Sequence, residues 1–533
     1  MDNKQLKIWI PFVFSLVLAS GMFLGYKLQD INSSKYRPFS PSRSTKFDEI
    51  INYIEENYVD DVDKSKLYDE SIASMLEHLD PHSVYIPATE IANVEEEMEG
   101  EFDGIGIEFF IVNDTIMVVT PISGGPSEQL GIQAGDKIIR INDSLVAGIG
   151  IQNADVVKKL KGPSGTKVKV AIQRNGQKNL IVYNIKRDKI PLYSVDAGFM
   201  INKEVGYIKI SRFAQTTYSE FMQKLASLKG QGMKSLILDL RENPGGYLEQ
   251  ATAILDEIID GRKDLVITKG RSYPKMEYKS KIPGQFEDGK IAILIDEGSA
   301  SASEIVAGAV QDWDRGVIIG RRSFGKGLVQ DQYQLGDNSA LRLTIAKYYT
   351  PSGRCIQKPY DEGLDSYNNE MLERIKHGEI FNKDSIKNDE SEVFYTKIKK
   401  RKVYGGGGIT PDIFIPLDTT NYNPFLSEVF GRGLVQEFAY NYYASHKGEF
   451  QAFTKQTYKD NFKVNDALYQ EFVKYAFSNQ VPKEYNKFNN VSKTEINKRL
   501  KAYIAKQIWK NEGFYPLIIE DDKAVQAALK ALI

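Results

Sequence analysis

The spacing of hydrophobic positions changes several times along the chain, and each change marks a segment with a different predicted structure. An uncharged apolar run covers residues 8–26, and a polar, Ser/Pro-rich stretch follows over 27–44. Across residues 45–98 apolar positions recur three and four residues apart, as on one face of a helix. The first such stripe consists of Phe47, Ile50, Ile51, Ile54 and Tyr58. We therefore predict an N-terminal segment 1–26, a linker 27–44 and a helical region 45–98.

Residues 99–188 carry short apolar runs separated by glycine-containing turns. Such runs predict short strands rather than helices, because turn residues interrupt them before a helical period can develop. The predicted strands lie at 104–109, 116–120, 137–142, 168–173 and 180–185. With two short helices between them, these strands make a small β-rich module.

Residues 189–420 alternate continuous apolar strands with helical stretches, which is typical of an α/β core with a buried sheet. Residues 361–403 are charged and lack a clear period, which predicts an exposed insertion. The remaining residues, 421–533, are aromatic-rich and predict a separate helical domain. There Ile496, Leu500, Ile504 and Ile508 recur every four residues, and Ser492 and Glu495 have the spacing of a capping box at a helix start.

The predicted fold is therefore multidomain, with a helical N-terminal region, a β module inserted before an α/β core, and an all-helical C-terminal domain. A length of 533 residues and a hydrophobic fraction of 42% allow several domains of this kind. The net charge of −2 gives no indication of nucleic-acid binding. The single cysteine, Cys355, excludes an intrachain disulfide and a cysteine-based zinc site. We predict no metal and no other cofactor.

The apolar run at residues 8–26 predicts a membrane anchor. Its 19 residues carry no charge and are flanked by Lys4, Lys7 and Lys27. At ~1.5 Å per residue a helix of this length spans a hydrocarbon core of ~30 Å. A cleaved signal peptide is the alternative, but no Ala-x-Ala site follows the run. We expect the rest of the chain to lie in the periplasm or at the cell exterior, and to be secreted if the segment is cleaved.

Two residues carry the candidate chemistry, Ser301 and Lys326. Ser301 lies among small residues where a strand is followed by a helix start, which suits a nucleophile. Lys326 follows 25 residues later among glycines and apolar residues, where burial can lower the pKa of an amine until it acts as a base. Gln330 could fix that amine by a hydrogen bond. Taken singly, the serine also fits a helix cap and the lysine a surface position.

Two further patterns bear on this reading. Residues 320–326 match the first seven positions of a nucleotide-binding P-loop, but Gly327 replaces the required Ser or Thr and extended chain follows, so we reject it. The turn 239–246 follows a buried strand, where α/β sheets place ligands. The amides of Gly245 and Gly246 there could join that of Ala302 in an oxyanion hole. None of the four histidines has the setting of a catalytic base; we expect surface or capping positions for them.

Residues 99–188 resemble a PDZ domain of the bacterial protease type. The resemblance lies in the Gly-Ile-Gly-Ile opening at 104–107, the Ala-Gly-Asp turn at 134–136 and the Ile-Asn pair at 141–142. PDZ domains bind the C-terminal end of a peptide as an added strand, with backbone amides at its carboxylate. The resemblance implies that Gly104, Ile105, Gly106 and Ile107 bind the substrate tail, through amides at 104–106 and an apolar pocket at Ile105 or Ile107.

Residues 45–415 as a whole closely resemble the C-terminal processing peptidases, or tail-specific proteases. The motifs that carry the resemblance are residues 238–246, 298–304, 323–330, 79–83 and 345–354. The family implies a serine endopeptidase with a PDZ domain before its core, Ser301 as nucleophile, Lys326 as general base and Gln330 as its orienting residue. Glu242 and Ser323 depart mildly from the usual residues, and 361–403 and the helical tail lie outside the shared pattern.

The sequence thus predicts an endopeptidase whose partners are proteins or peptides with apolar C-termini. Residues 421–533 could bind an adaptor or a second copy of this chain. Residues 8–26 are expected to contact a membrane. The competing hypothesis is a PDZ-based scaffold with an inactive protease core, against which the complete Ser301, Lys326 and Gln330 set argues.

Overall fold

The computed structural model describes residue 21 and residues 46–112, 114–174, 177–281, 283–420 and 422–533. The predicted anchor and linker thus lie, except for Gly21, outside the described residues. In the described part, no helix is long and apolar enough to cross a membrane. The chain divides into two compact units, residues 1–72 and 73–533.

In the first unit the predicted helical stripe forms the helix Lys46–Asn57, with Ile51 buried. A second helix, Lys64–Glu77, begins in this unit and continues into the next. Lys64 Nζ donates to Asn52 Oδ1 at 2.9 Å and to Glu55 Oε2 at 2.6 Å, which ties the start of the second helix to the first.

The β module forms as predicted. Its main sheet is antiparallel, with strands in the order Ile107–Val112, Thr115–Pro121, Lys137–Ile141, Lys167–Gln173 and Ile181–Lys186; Ser144–Leu145 pairs with Lys137–Ile141. The helices Pro126–Gln129 and Asn153–Leu160 complete it. Ile116, Val118, Ile138, Val156 and Ile185 fill the core that these elements share. A separate antiparallel pair, Glu101–Gly104 with Asp188–Pro191, connects the module to the rest of the chain. Strand Ile107–Val112 lies at an edge of the main sheet.

The predicted α/β core is also confirmed. Its sheet runs in the order Val195–Met200, Val205–Ile210, Ser235–Asp239, Lys290–Ile295, Val317–Gly320 and Ile413–Phe414, parallel except for the first pair. The central strands are buried on both faces, which explains their continuous apolar sequences. One face of the sheet is covered by three helices whose buried residues belong to the main core cluster: Thr217–Gly230, Leu248–Asp256 and Ala302–Asp312. The helix Ala88–Glu99 packs elsewhere, with Ile91 in a small cluster with Ile86 and Ala340.

The opposite face of this sheet is covered by the final helix, Lys523–Ala531, which we call the terminal helix. Its Val525 and Ala528 pack in one apolar cluster with Ile237 and Leu294 of the central strands. Lys290 Nζ donates to the main-chain oxygens of the last two residues at 3.1 and 2.6 Å. The terminal helix therefore contributes directly to burying the parallel sheet.

A second, antiparallel sheet carries part of the candidate site. It contains Val84–Ile86, Ala340–Tyr349, Asp264–Lys269 and Met276–Lys279, and Leu328–Gln334 pairs with Ala340–Tyr349. Gln330 lies opposite Thr344 in that hairpin, beside an irregularity in the register.

The insertion 361–403 is exposed over most of its length, as its charge pattern predicts, but it is also folded. It contains a helix, Leu364–Lys376, which we call the insertion helix, a short 3₁₀ turn at Lys383–Ser385, and a strand pair, Val393–Tyr395 with Lys402–Tyr404. Tyr367 and Arg374 of that helix are buried. The sequence pattern does not reveal these elements, because their packing depends on charged side chains that pair with one another and with the core.

The C-terminal segment is helical, as predicted. Its helices are Pro424–Gly431, Leu434–Phe450, Lys455–Asn461, Asp466–Ser478, Asn489–Trp509, Asn511–Ile518 and the terminal helix, with a 3₁₀ turn at Lys483–Phe488. The predicted capping box is wrong: Ser492 lies inside the helix that begins at Asn489, and its hydroxyl donates to Phe488 O at 2.9 Å. The domain boundaries given above stay predictions.

Candidate active site

Ser301 lies at the turn between strand Lys290–Ile295 and helix Ala302–Asp312. Its backbone has φ 53° and ψ −113°, a conformation that L-residues rarely adopt. The neighbouring Ser299 and Ser303 are buried, and their hydroxyls donate to backbone carbonyls of the adjacent turn at 2.8 and 3.0 Å. The three serines of this motif therefore differ: two are structural, and Ser301 alone occupies the strained turn.

The turn 239–246, singled out in the sequence, is fixed by a buried ion pair. Arg241 Nη2 lies 2.6 Å from Asp239 Oδ2, and Arg241 Nη1 lies 2.7 Å from Asp522 Oδ2. Burial alone would raise the pKa of Asp239, but the charges of Arg241 and Lys209 hold it well below its usual range. Asp522 also caps the terminal helix. This turn is thus connected to the end of the chain as well as to the sheet.

The two glycines of that turn differ in how they meet Ser301. A Cβ on Gly245 would lie 2.7 Å from Ser301 Cβ, so no larger residue fits there. The amide of Gly245 donates to Asn243 Oδ1 at 2.9 Å. Within the described residues the amides of Gly246 and Ala302 donate to no protein acceptor. Of the three predicted oxyanion donors, Gly245 is thus the one whose N–H group already has an acceptor.

Lys326 lies in the loop that precedes strand Leu328–Gln334. Its Nζ donates to Gln330 Oε1 at 2.9 Å, and Gln330 Nε2 in turn donates to the carbonyl of His82. Burial and the nearby positive charge of Arg342 lower the pKa of Lys326 to about 8, although two nearby carboxylates oppose them. The predicted base thus has a pKa that leaves a large neutral fraction near pH 8.

Glu304, which the sequence analysis did not single out, joins the two predicted catalytic segments. Its Oε2 accepts from the amides of Ser301 and Lys326, both at 2.9 Å. Its Oε1 accepts from the amide of Gly325 at 2.8 Å and from the hydroxyl of Ser323. Burial raises the pKa of Glu304 to about 7. The signal in the sequence was its position three residues after Ser301, where a helix-capping carboxylate reaches back.

The backbones of Ser301 and Lys326 are held by common partners, but their side chains are not hydrogen-bonded to each other. Tyr348 Oη donates to Lys326 O at 2.6 Å and lies 3.1 Å from Ser301 O. No hydrogen bond links Ser301 Oγ to Lys326 Nζ in the described structure. The scaffold around the pair is therefore assembled while the side chains remain apart.

His82 is half-buried next to this scaffold, whereas the sequence predicts a surface or capping position for it. The amide of His82 donates to Asp80 Oδ1 at 2.9 Å, and Thr344 Oγ1 donates to the same oxygen at 3.0 Å. His82 Nε2 lies 2.7 Å from Tyr367 Oη. Burial, followed by the charge of Lys326, lowers the pKa of His82 to about 4. The ring is thus neutral at ordinary pH, and its carbonyl, rather than its imidazole, faces Gln330.

The four predicted tail-binding residues lie where the connecting strand enters the β module. Gly104 ends strand Glu101–Gly104, Ile105 is fully buried in the module core, and Gly106 has φ 71°. Ile107 begins the edge strand and packs against the same core cluster, which also contains Val156 of helix Asn153–Leu160. The outer edge of this strand pairs with no other strand in the described structure.

Comparison with known proteins agrees with this architecture. Residues 204–365 match peptidase family S41, residues 117–174 match the PDZ domain, and residues 19–89 match the N-terminal domain of the activating protease CtpB. Residues 425–510 match a family of unknown function, DUF8443.

Several bacterial proteases are similar over most of their length. A carboxy-terminal-processing protease of Bartonella bacilliformis is 38% identical over 317 residues, 58% of this chain and 72% of the relative. The carboxy-terminal processing protease CtpA of Bacillus subtilis is 33% identical over 67% of this chain and 76% of the relative. A probable CtpA-like serine protease of Staphylococcus aureus is 31% identical over 72% of this chain and 75% of the relative. The chain therefore belongs to the carboxy-terminal processing proteases, serine peptidases of family S41 that carry a PDZ domain.

Proposed function

We propose that this protein is an endopeptidase that captures the apolar C-terminal tail of a protein substrate and cleaves it with Ser301 and Lys326. The observation that carries the proposal is a buried amine of lowered pKa on a loop whose backbone shares one carboxylate with the backbone of Ser301. A lysine in that state can act as the base that activates a serine without a histidine.

In the proposed reaction Lys326 Nζ takes the hydroxyl proton as Ser301 Oγ attacks the peptide carbonyl. The amides of Ala302 and Gly246 donate to the oxygen that becomes negative. When the tetrahedral intermediate collapses, the C–N bond breaks and the ammonium of Lys326 gives its proton to the leaving amine. Water then attacks the acyl-enzyme, Lys326 accepts a proton from that water, and the proton returns to Ser301 Oγ as the ester bond breaks.

Tail capture is assigned to the open edge of strand Ile107–Val112. An extended peptide can add there as another strand, since strand addition at an open edge supplies main-chain hydrogen bonds. Ile107 is half-buried and can contact an apolar side chain of the tail, whereas Ile105 stabilises the module from within. The segment Gly104–Ile107 then supplies amides to the tail carboxylate.

The pH dependence tests the base. Because Lys326 must be neutral to accept a proton and its pKa is lowered to about 8, we expect kcat/KM to rise with pH and to reach half its maximum near pH 8. The measurement is kcat/KM on an unfolded substrate with an apolar C-terminus between about pH 6 and 10. Arg342→Gln removes a positive charge near Lys326, so the midpoint should move to higher pH.

The control for this shift is Lys347→Gln, which removes a charge from an exposed position of the same strand. Its midpoint should equal that of the wild type. A wild-type midpoint near 6.5, the ordinary pKa of histidine, would rule out Lys326 as the base.

Tail capture has its own test. Converting the substrate's C-terminal carboxylate to an amide removes charge-assisted hydrogen bonds to backbone amides, so we expect KM to rise about tenfold or more with little change in kcat. Acetylating the N-terminus of the same substrate alters a terminal charge elsewhere and should leave KM unchanged. Equal KM values for the acid and the amide would show that the β module does not read the carboxylate.

A further inference from the structure

The insertion helix packs against the loop that carries Lys326. Arg374, which is only 5% exposed, donates from Nη1 to Ser323 O at 2.8 Å and from Nη2 to Phe324 O at 3.3 Å. Its Nε donates to Glu370 Oε1, one turn earlier in the same helix, which orients the guanidinium. The guanidinium of Arg374 therefore donates hydrogen bonds to two consecutive main-chain carbonyls, which lie just before Lys326 in the sequence.

The main-chain amides of the same loop are bound by a residue of the core. Glu304 accepts from the amides of Gly325 and Lys326, as described above. The main-chain carbonyls of Ser323 and Phe324 accept hydrogen bonds from Arg374. The loop is thus clamped along both edges, and one of the two clamps comes from the insertion.

The insertion helix also reaches Lys326 by a second route. Tyr367 is buried, and its hydroxyl is hydrogen-bonded to Nε2 of the neutral His82 ring, 2.7 Å away. The carbonyl of His82 accepts from Gln330 Nε2, and Gln330 Oε1 accepts from Lys326 Nζ. The insertion helix is therefore connected to the amine of Lys326 by three hydrogen bonds, with His82 as the link between its ring contact and its carbonyl contact.

Charge pairs and aromatic contacts fix how the insertion helix docks. Lys358 Nζ lies 4.2 Å from the ring centre of Phe324 and 4.1 Å from that of Tyr367, and 3.2 Å from Glu370 Oε2. Arg322 Nε lies 2.6 Å from Glu379 Oε1. Buried cations that are paired in this way have a single favourable arrangement, because displacement would leave a charge without its partner.

From these contacts we infer that the insertion helix is a positioning element of the active site, with Arg374 holding the loop of Lys326 and Tyr367 holding Gln330 through His82. This inference rests on the proposed role of Lys326 as general base. It assigns a catalytic contribution to a segment that lies outside the motifs of the resemblance and whose sequence indicates only an exposed insertion.

The test compares Arg374→Met, Arg374→Lys and wild type in the full-length protein. Arg374→Met removes both carbonyl contacts, so the loop loosens and water reaches Lys326; we expect kcat to fall about 10- to 100-fold with KM unchanged. The midpoint of kcat/KM against pH should move above that of the wild type, because hydration raises the pKa of an amine. Arg374→Lys keeps one hydrogen bond and should recover part of kcat. Lys376→Met, on the exposed side of the same helix, is the matched control and should behave as wild type.

Each outcome decides the question. Wild-type kcat and an unshifted midpoint in Arg374→Met would overturn the inference, as would an Arg374→Lys protein no more active than Arg374→Met. If Arg374→Met does not fold, Tyr367→Phe decides instead, because it keeps the ring and removes only the hydroxyl that contacts His82. A lower kcat at unchanged KM supports the inference, and wild-type kcat contradicts it. Full activity of Lys326→Ala would refute the proposed base itself, which is a separate result.

Discussion

Replacing Ser301 by alanine, or Lys326 by alanine, should abolish peptide-bond cleavage. In the proposed mechanism each residue supplies a group that no neighbour can replace: Ser301 the attacking oxygen and Lys326 the proton acceptor. Residues of one catalytic unit show non-additive losses, so we expect kcat to fall by at least about 10⁴-fold in either variant and hardly further in the double variant. The measurement is single-turnover cleavage of an unfolded substrate with an apolar C-terminus.

Binding of the tail provides the control within the same proteins. Neither side chain lies in the β module, so both variants should bind a C-terminal peptide as tightly as the wild type does. Lys347→Ala, which changes an exposed lysine of the adjacent hairpin, should retain full activity. A wild-type protein that binds such a peptide but cleaves no substrate would instead favour the PDZ-based scaffold, and wild-type rates in either variant would refute the mechanism.

The order of structural classes along the chain could be predicted because it depends on local patterns. The continuous apolar runs at 205–210 and 235–240 became central parallel strands, since burial on both faces leaves no polar positions. The small residues around Ser301 correctly indicated a turn between a strand and a helix. The sequence does not reveal that this turn holds Ser301 at φ 53°, because that conformation is imposed by surrounding contacts.

The contacts that the sequence analysis missed join residues that are far apart in the sequence. His82 and Gln330 are 248 positions apart, yet the carbonyl of one holds the side chain of the other. Arg374 appeared as one charge among many in the insertion, because only the folded chain brings it to Ser323 O. Ser492 was misassigned for the opposite reason: a local motif was present, but the helix began three residues earlier and made the motif irrelevant.

Glu304→Gln tests whether the scaffold around the pair is as important as the pair. The carboxylate of Glu304 accepts four hydrogen bonds, two at each oxygen. A glutamine keeps one oxygen and places an NH₂ group against two donors, so two buried donors lose their acceptor at about 1–3 kcal/mol each. Because two of the four donors are the amides of Ser301 and Lys326, we expect the two segments to separate and kcat to fall about 100-fold or more.

Thermal unfolding and kcat, the latter measured well below the melting temperature of the variant, distinguish misplacement from unfolding. Glu297→Gln is the matched control: Glu297 lies in the turn before the same helix and pairs with Arg321, a partly exposed pair that holds neither Ser301 nor Lys326, so its loss should leave kcat unchanged. The two buried groups also have compatible pKa values, since Glu304 ionises near 7 and Lys326 becomes neutral near 8. At the pH where the amine can accept a proton, Glu304 is therefore a pure acceptor for all four donors. Wild-type kcat in Glu304→Gln would show that the backbone tie is dispensable and that substrate alone aligns Ser301 with Lys326.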